Sequence, residues 1–183
     1  VDLVNGTVIT NASTGVIDLQ KDLEIFNTSG TGVIDNFGLI NKSDGTGLSL
    51  ITAQVTTETG SSIDIQSGTL SLDSVALTLG SGTTLKGSGT FSGNVINNAG
   101  TVSPGTGFEN TAILTINGNY TQGTNGILAI ELNGTTAGTL HDQLNVTGTA
   151  TLAGNLTSTL FGSYTPLATD TFTILNAGTR TGV

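Results

Sequence analysis

Branched aliphatic residues recur along this chain in short runs, every second position polar, and glycine or asparagine breaks one run from the next. That period of two predicts β-strands, and the absence of a capped 3.6-residue apolar stripe leaves no predicted helix. The clearest run lies between Leu144 and Leu160. Leu144, Val146, Ala150, Leu152, Leu156 and Leu160 fall on one face, and Asn145, Thr147, Thr149, Thr151, Asn155, Thr157 and Thr159 on the other. Gly148 and Gly154 interrupt it, as glycine does at bends and close backbone approaches. Leu128-Ala129-Ile130-Glu131-Leu132 and Thr171-Phe172-Thr173-Ile174-Leu175 alternate in the same way.

Sandwiches, barrels and solenoids share this signature, and internal repeats separate them. Thr14-Gly15-Val16-Ile17-Asp18 returns as Thr31-Gly32-Val33-Ile34-Asp35, and more loosely as Ser62-Ile63-Asp64-Ile65. A longer unit from Gly32 through Asn36 and Phe37 to Asn41 returns from Gly93 through Asn97 and Asn98 to Val102. A Gly-Ser-Gly-Thr element occupies 80–83 and 87–90, with Ser67-Gly68-Thr69 as a shorter copy. Each unit holds too little strand to bury a face alone, so stacking copies at roughly 20 residues per coil is the physical remedy. Stacked coils place Val, Ile and Leu on like neighbours inside a tube, with glycine and asparagine at the corners. The expected fold is all-β: a right-handed parallel β-helix, or β-solenoid. Residues 1–105 form about five coils, some 25 Å of tube at one strand spacing per coil. The one-faced strands of residues 106–183 predict a more open, partly antiparallel section that caps it.

Composition narrows the function classes. Charged residues are 9% of the 183, against roughly 25% in an average soluble protein, and 27 residues are glycine. No run approaches the roughly 18 apolar residues of a spanning helix, so no membrane insertion is expected. A net charge of −9 gives no basic footprint for nucleic acid and no attraction to anionic lipid. Cysteine is absent, so the fold must rest on hydrogen bonds and its core instead of disulfides. Methionine is absent even at position 1, as in a processed product or an excerpt.

Within this frame Gly89-Thr90-Phe91-Ser92-Gly93-Asn94-Val95, followed by Asn98-Ala99-Gly100-Thr101-Val102-Ser103-Pro104-Gly105, resembles the passenger-associated transport repeat of bacterial autotransporters. Leu114-Thr115-Ile116-Asn117-Gly118-Asn119-Tyr120-Thr121-Gln122 continues the likeness. The stretch from Asp142-Gln143-Leu144-Asn145-Val146 to Gly154 is similar to the segment that follows the repeat in such passengers. The likeness runs from about Gly87 to Leu175, roughly half of the chain. It implies a secreted or surface-exposed β-helix whose C-terminal part folds early and assists export. Related segments also occur in large cell-surface proteins without a translocator barrel.

Chemistry-bearing residues are sparse. His141 is the single histidine and lies beside Asp142, but neighbours on a strand point to opposite faces, so an acid–base pair is not expected. Asp18, Asp35 and Asp64 each follow an isoleucine and would stack into an acidic column if they were equivalent. They read as solvated positions at strand ends, with weak divalent-cation binding as the alternative. Lys21, Lys42, Lys86 and Arg180 are scattered, which leaves lyase chemistry without its cations. No Gly-x-Ser-x-Gly elbow appears. Gly80-Ser81-Gly82 and Gly87-Ser88-Gly89 lack the lysine and helix of a phosphate loop and read as turns. Threonines at 147, 149 and 151, and at 157 and 159, line single strands instead of recurring coil to coil, so an ice-binding ladder is not expected. Asn-x-Thr sequons such as Asn5-Gly6-Thr7 and Asn119-Tyr120-Thr121 arise by chance in a chain this rich in both residues.

The expectation is therefore an extracellular structural or adhesive β-solenoid, the stalk or passenger segment of a bacterial surface protein, with no catalytic residue, cofactor or metal ligand assigned. Expected partners are glycans or other cell-surface components, with end-to-end self-association. The alternatives are a self-assembling subunit of a filament, sheath or surface layer and, further off, a polysaccharide-active β-helix enzyme.

Overall fold

A computed structural model describes the whole chain except Asn5, Ser29, Ser74, Val75 and Val183. Asn5 of the first sequon thus lies outside the described residues. Among the described residues twenty strands wind as a coil. The first two turns are β1 (Val8–Asn11), β2 (Val16–Asp18), β3 (Glu24–Ile25), then β4 (Val33–Asn36), β5 (Leu39–Lys42), β6 (Leu48–Ile51). The next two are β7 (Gln54–Thr57), β8 (Ser62–Ile65), β9 (Thr69–Ser71), then β10 (Leu77–Leu79), β11 (Thr84–Gly87), β12 (Thr90–Ser92). A fifth and sixth follow as β13 (Val95–Asn97), β14 (Thr101–Pro104), β15 (Ile113–Asn117), then β16 (Tyr120–Gln122), β17 (Ile127–Leu132), β18 (Gln143–Leu152). β19 (Asn155–Leu160) and β20 (Leu175–Gly182) close a seventh. Through β15 each strand pairs in parallel with the strand three places on, the step from β7 to β10 excepted, and then β16 pairs β18, β17 pairs β19 and β18 pairs β20, the geometry of a three-sided parallel β-helix.

The second side is an unbroken ladder, β2-β5-β8-β11-β14-β17-β19. Its inward column reads Ile17, Ile40, Ile63, Leu85, Val102, Leu128, Leu156, because one residue type fits one position of every coil. Ile40, Ile63, Leu85 and Val102 are fully buried, and Leu156 emerges at the open end. The third side stacks Leu70, Phe91, Ile116 and Val146 in the same manner. Where the first side turns into the second, polar groups enter the interior and pair with one another, as stacking expects. Asn11 Nδ2 donates to Asn36 Oδ1 at 2.7 Å, and Tyr120 Oη donates to Gln122 Oε1 at 2.8 Å.

Two expectations change. The coil winds on past residue 105 without a change of plan, and the C-terminal strands pair in parallel: β17 with β19 over six residues, β18 with β20 over seven. Among the described residues the named strands there pair only in parallel, and antiparallel pairing is limited to one isolated bridge, Leu132 with His141. Alternation marks a strand with one wet face, and every side of a solenoid has one, so it carried no information on strand direction. β18 instead runs round a corner, pairing β15 through its first half and β16 through its second, with a bulge between Val146 and Thr149.

Candidate functional site

The anticipated acidic column does not assemble. Asp18 and Asp64 share an outward column of the second side, but the register reads Asp18, Asn41, Asp64, Lys86, Ser103. Two coils separate the carboxylates, ~10 Å. Asp35 stands on the first side, between Thr10 and Thr56, and accepts from Thr56 Oγ1 at 3.0 Å. The matching pentapeptides at 14–18 and 31–35 are separated by less than one coil, so they land on different sides. Asp64 is buried, and desolvation raises its carboxyl above the ordinary range. Gln66 donates to Oδ2 at 3.3 Å, and Lys86 Nζ lies 3.6 Å away. Among the described residues no group of three His, Cys, Asp or Glu is placed to hold a metal.

Lys42 is the largest departure from a scattered surface cation. Its stem continues the inward column that passes through Ile65 and Gly87, and the side chain is fully buried. The ammonium donates to the carbonyls of Lys21 (3.3 Å), Asp44 and Gly45 (3.3 Å) and to Asp22 Oδ1 (3.2 Å). Four oxygens thus offset the cost of dehydrating it, and the cation bolts the second corner of coil one to that of coil two.

That second corner, between the second and third sides, is where the coils differ. It takes five residues in coils one and two (19–23, 43–47), three in coil three (66–68) and two in coil four (88–89). It then lengthens to 105–112, 133–142 and 161–174, which are eight, ten and fourteen residues. The three long loops leave the tube one above another and make a ledge. They carry Phe108, Phe161, Tyr164 and Phe172, half of the chain's eight aromatic residues, and its single histidine.

Hydrogen bonds lace the loops together. Asp142 is buried and accepts Ala112 N–H at 2.9 Å through Oδ1 and Glu131 N–H at 2.8 Å through Oδ2. Burial pushes its carboxyl up to about 6 in spite of these donors. Glu131 accepts Asn110 N–H at 3.3 Å, and desolvation together with nearby Glu109 raises its carboxyl too. Glu109 holds the left-handed backbone of the turn at φ 62°. Gly105 (φ 88°) begins that loop, where a β-carbon would fall 1.9 Å from Asn110 O, so glycine is required.

His141 and Asp142 occupy separate surroundings, although both lie at the end of the 133–142 loop and not on a strand. His141 Nδ1 lies 3.1 Å from Gly134 O, and its ring meets Phe172 edge-on at 5.4 Å between centroids. Its Nε2 is buried without a hydrogen-bond partner. Phe172 touches Tyr164, whose hydroxyl donates to Asp170. Phe108, 67% exposed, meets Phe161 at 6.1 Å and 60°, joining the first loop to the third. Sequence reading passed over these aromatics, although their concentration in three glycine- and threonine-rich interruptions was the available signal.

The Gly-Ser-Gly elements sit at the first corner (80–82) and the second (87–89), as corner turns. Contrary to expectation, Thr151 does recur coil to coil, stacked between Thr121 and Thr181, and other hydroxyl and amide groups form columns as well. On the third side Thr69, Thr90, Thr115, Asn145 and Asn176 form one outward column, and Ser71, Ser92, Asn117 and Thr147 its neighbour, with amides in the place of threonine at the later positions. No family model, curated protein or solved structure matches this chain.

Proposed function

We propose that the chain is a structural and adhesive segment of an extracellular bacterial β-solenoid, a stalk or passenger segment that carries load and makes contacts without catalysis. The observation that carries this reading is the unbroken second-side ladder from β2 to β19, with its column of aliphatic residues. Such a ladder shares tension among many parallel hydrogen bonds and leaves few backbone groups for a protease to engage. The hydroxyl and amide columns of the third side offer a flat surface for many weak hydrogen bonds to glycans, whose affinity grows with the number engaged. The sequence likeness to autotransporter passengers supports a place on the bacterial surface. Limited proteolysis under native conditions tests the stalk. Cuts confined to the second-corner loops, with a resistant core from about β1 to β18, support it; rapid degradation throughout the coils overturns it.

A second reading, end-to-end assembly into a filament, is favoured by the last described coil. β19 and β20 are paired along one edge only, beside a cavity of about 540 Å³ whose lining includes Leu128, Leu152, Leu156 and Leu175. Concentration-dependent filaments in electron micrographs would support it. A chain that sediments as a monomer at high concentration would remove it.

A further inference from the structure

The ledge differs from the rest of the surface in two independent ways. It carries four of the chain's eight aromatic residues, with Phe108 and Leu167 each 67% exposed and Leu140 39% exposed. Its loops also carry the carboxylates of Glu109 and Asp170 and no lysine or arginine of their own, the Lys86 ammonium meeting only their edge at Thr106 O (3.0 Å). An anchored ring with one face open to water takes the C–H face of a flat ligand or a cation. Carboxylates, with the exposed hydroxyl groups of Thr135, Thr136 and Ser163, call for a ligand rich in O–H and N–H donors and positive in charge.

We propose that the ledge binds oligosaccharides carrying free amino groups, glucosamine-type chains whose rings stack on Phe108 and whose ammonium groups face Glu109 and its neighbours. The inference rests on the adhesive, non-catalytic reading above and names the ligand class for it. Charge complementarity selects the occupant. Ledge against ledge, two copies would bring like carboxylates together, and a polyanion meets the same repulsion. A basic peptide would satisfy the carboxylates but leave the hydroxyl-rich rim with fewer donors than a sugar brings. The loops are already cross-tied through Asp142, Glu131 and the Phe108–Phe161 contact, so little ordering opposes binding.

The test is calorimetric titration of the whole chain with a glucosamine hexamer, beside cellohexaose, the N-acetylated hexamer and hexalysine. The glucosamine hexamer should bind roughly tenfold more tightly than either neutral sugar and weaken as salt rises from about 0.05 to 0.5 M. Phe108→Ala and Glu109→Gln should each weaken it roughly fivefold or more, with unchanged circular dichroism and a Tm lowered by no more than a few degrees, while Phe108→Tyr retains it. Three outcomes overturn the proposal: no heat with the glucosamine hexamer, equal binding of the neutral sugars, or hexalysine binding as well and indifferently to Phe108→Ala. A protease-resistant tube that binds no amino sugar sinks this inference alone. A hexamer recovered shortened, as seen by mass spectrometry, would sink the non-catalytic reading instead.

Discussion

The first four coils and the last three share a core but treat the second corner in opposite ways. In the early coils the chain turns within two to five residues, and the corner interior is filled by Ile65 and by Lys42 with its four oxygen acceptors. In the later coils the same corner opens into loops of eight, ten and fourteen residues, tied to one another by the Ala112–Asp142, Phe108–Phe161 and His141–Phe172 contacts. The tube below is unchanged: Leu85, Val102 and Leu128 follow one column straight through the transition. A solenoid thus separates two tasks that a globular domain mixes. Coil stacking supplies stability, and a corner can lengthen into a recognition surface without disturbing the ladder beside it.

The sharpest way to break that comparison is at Lys42. Replacing it by methionine keeps the stem but strips three carbonyls and the Asp22 carboxylate of their shared donor. Lys42→Met should cost about 3–5 kcal/mol, as removal of one buried charged partner does. Asp22→Asn should cost no more than about 1 kcal/mol, since that side chain is 48% exposed and the carbonyls keep the ammonium. At the ledge, Glu131→Gln should cost no more than about 1 kcal/mol by the loss of one charge-assisted N–H contact. Urea denaturation of the three variants decides it. If Lys42→Met costs no more than Glu131→Gln, the tight corners are not where the early coils hold their stability.

A smaller effect belongs to the later coils and follows pH. Asp142 titrates at about 6 in the folded chain against an ordinary 3.8. Between those values the folded state holds the proton more firmly than the unfolded state. The stabilisation is therefore full below about 3.8 and is lost as pH rises through about 6. The loss is at most about 3 kcal/mol. Asp64 and Glu131, both raised by burial, push in the same direction. Tm should fall from pH 4 toward 6 and then level, and Asp142→Asn should flatten much of that slope. A Tm that climbs from pH 5 to 7 would refute the assignment.

How much of this was legible in the sequence depended on whether a residue's partner lay in the next coil or across the molecule. Ile63 and the Gly-rich corners announced stacking, because like residues recur where like positions recur. The matched pentapeptides at 14–18 and 31–35 misled on phase, since a motif fits any side with the same pleat; only the register shows Asp35 on a different side from Asp18. Lys42 gave no sign, because a lysine in an alternating strand reads as solvated until carbonyls from its own corner and the one below are seen to surround it. The ledge was hidden for a related reason. Phe108 and Phe161 sit in different loops, and no local pattern says that two loops on alternate coils will meet.

The finest test exchanges one treatment of the corner for the other. Replacing residues 161–174 by Ser-Gly, the corner of coil four at 88–89, joins β19 directly to β20. Shortening the connection returns roughly 1–2 kcal/mol of loop-closure entropy. Losing the Phe161 contact with Phe108 and the Phe172 contact with His141 removes a similar amount. The two offset, so the net change should stay within about 1 kcal/mol and Tm should move by only a few degrees. The strand signature in circular dichroism should persist while the earliest proteolytic cut and any ledge binding disappear together. A shortened chain that unfolds would show the opposite division, with the fourteen-residue loop serving as the lid that holds Leu175 and the last coil on the tube. Because the predicted change is the smallest of the set, it discriminates best between a corner that recognises and a corner that supports.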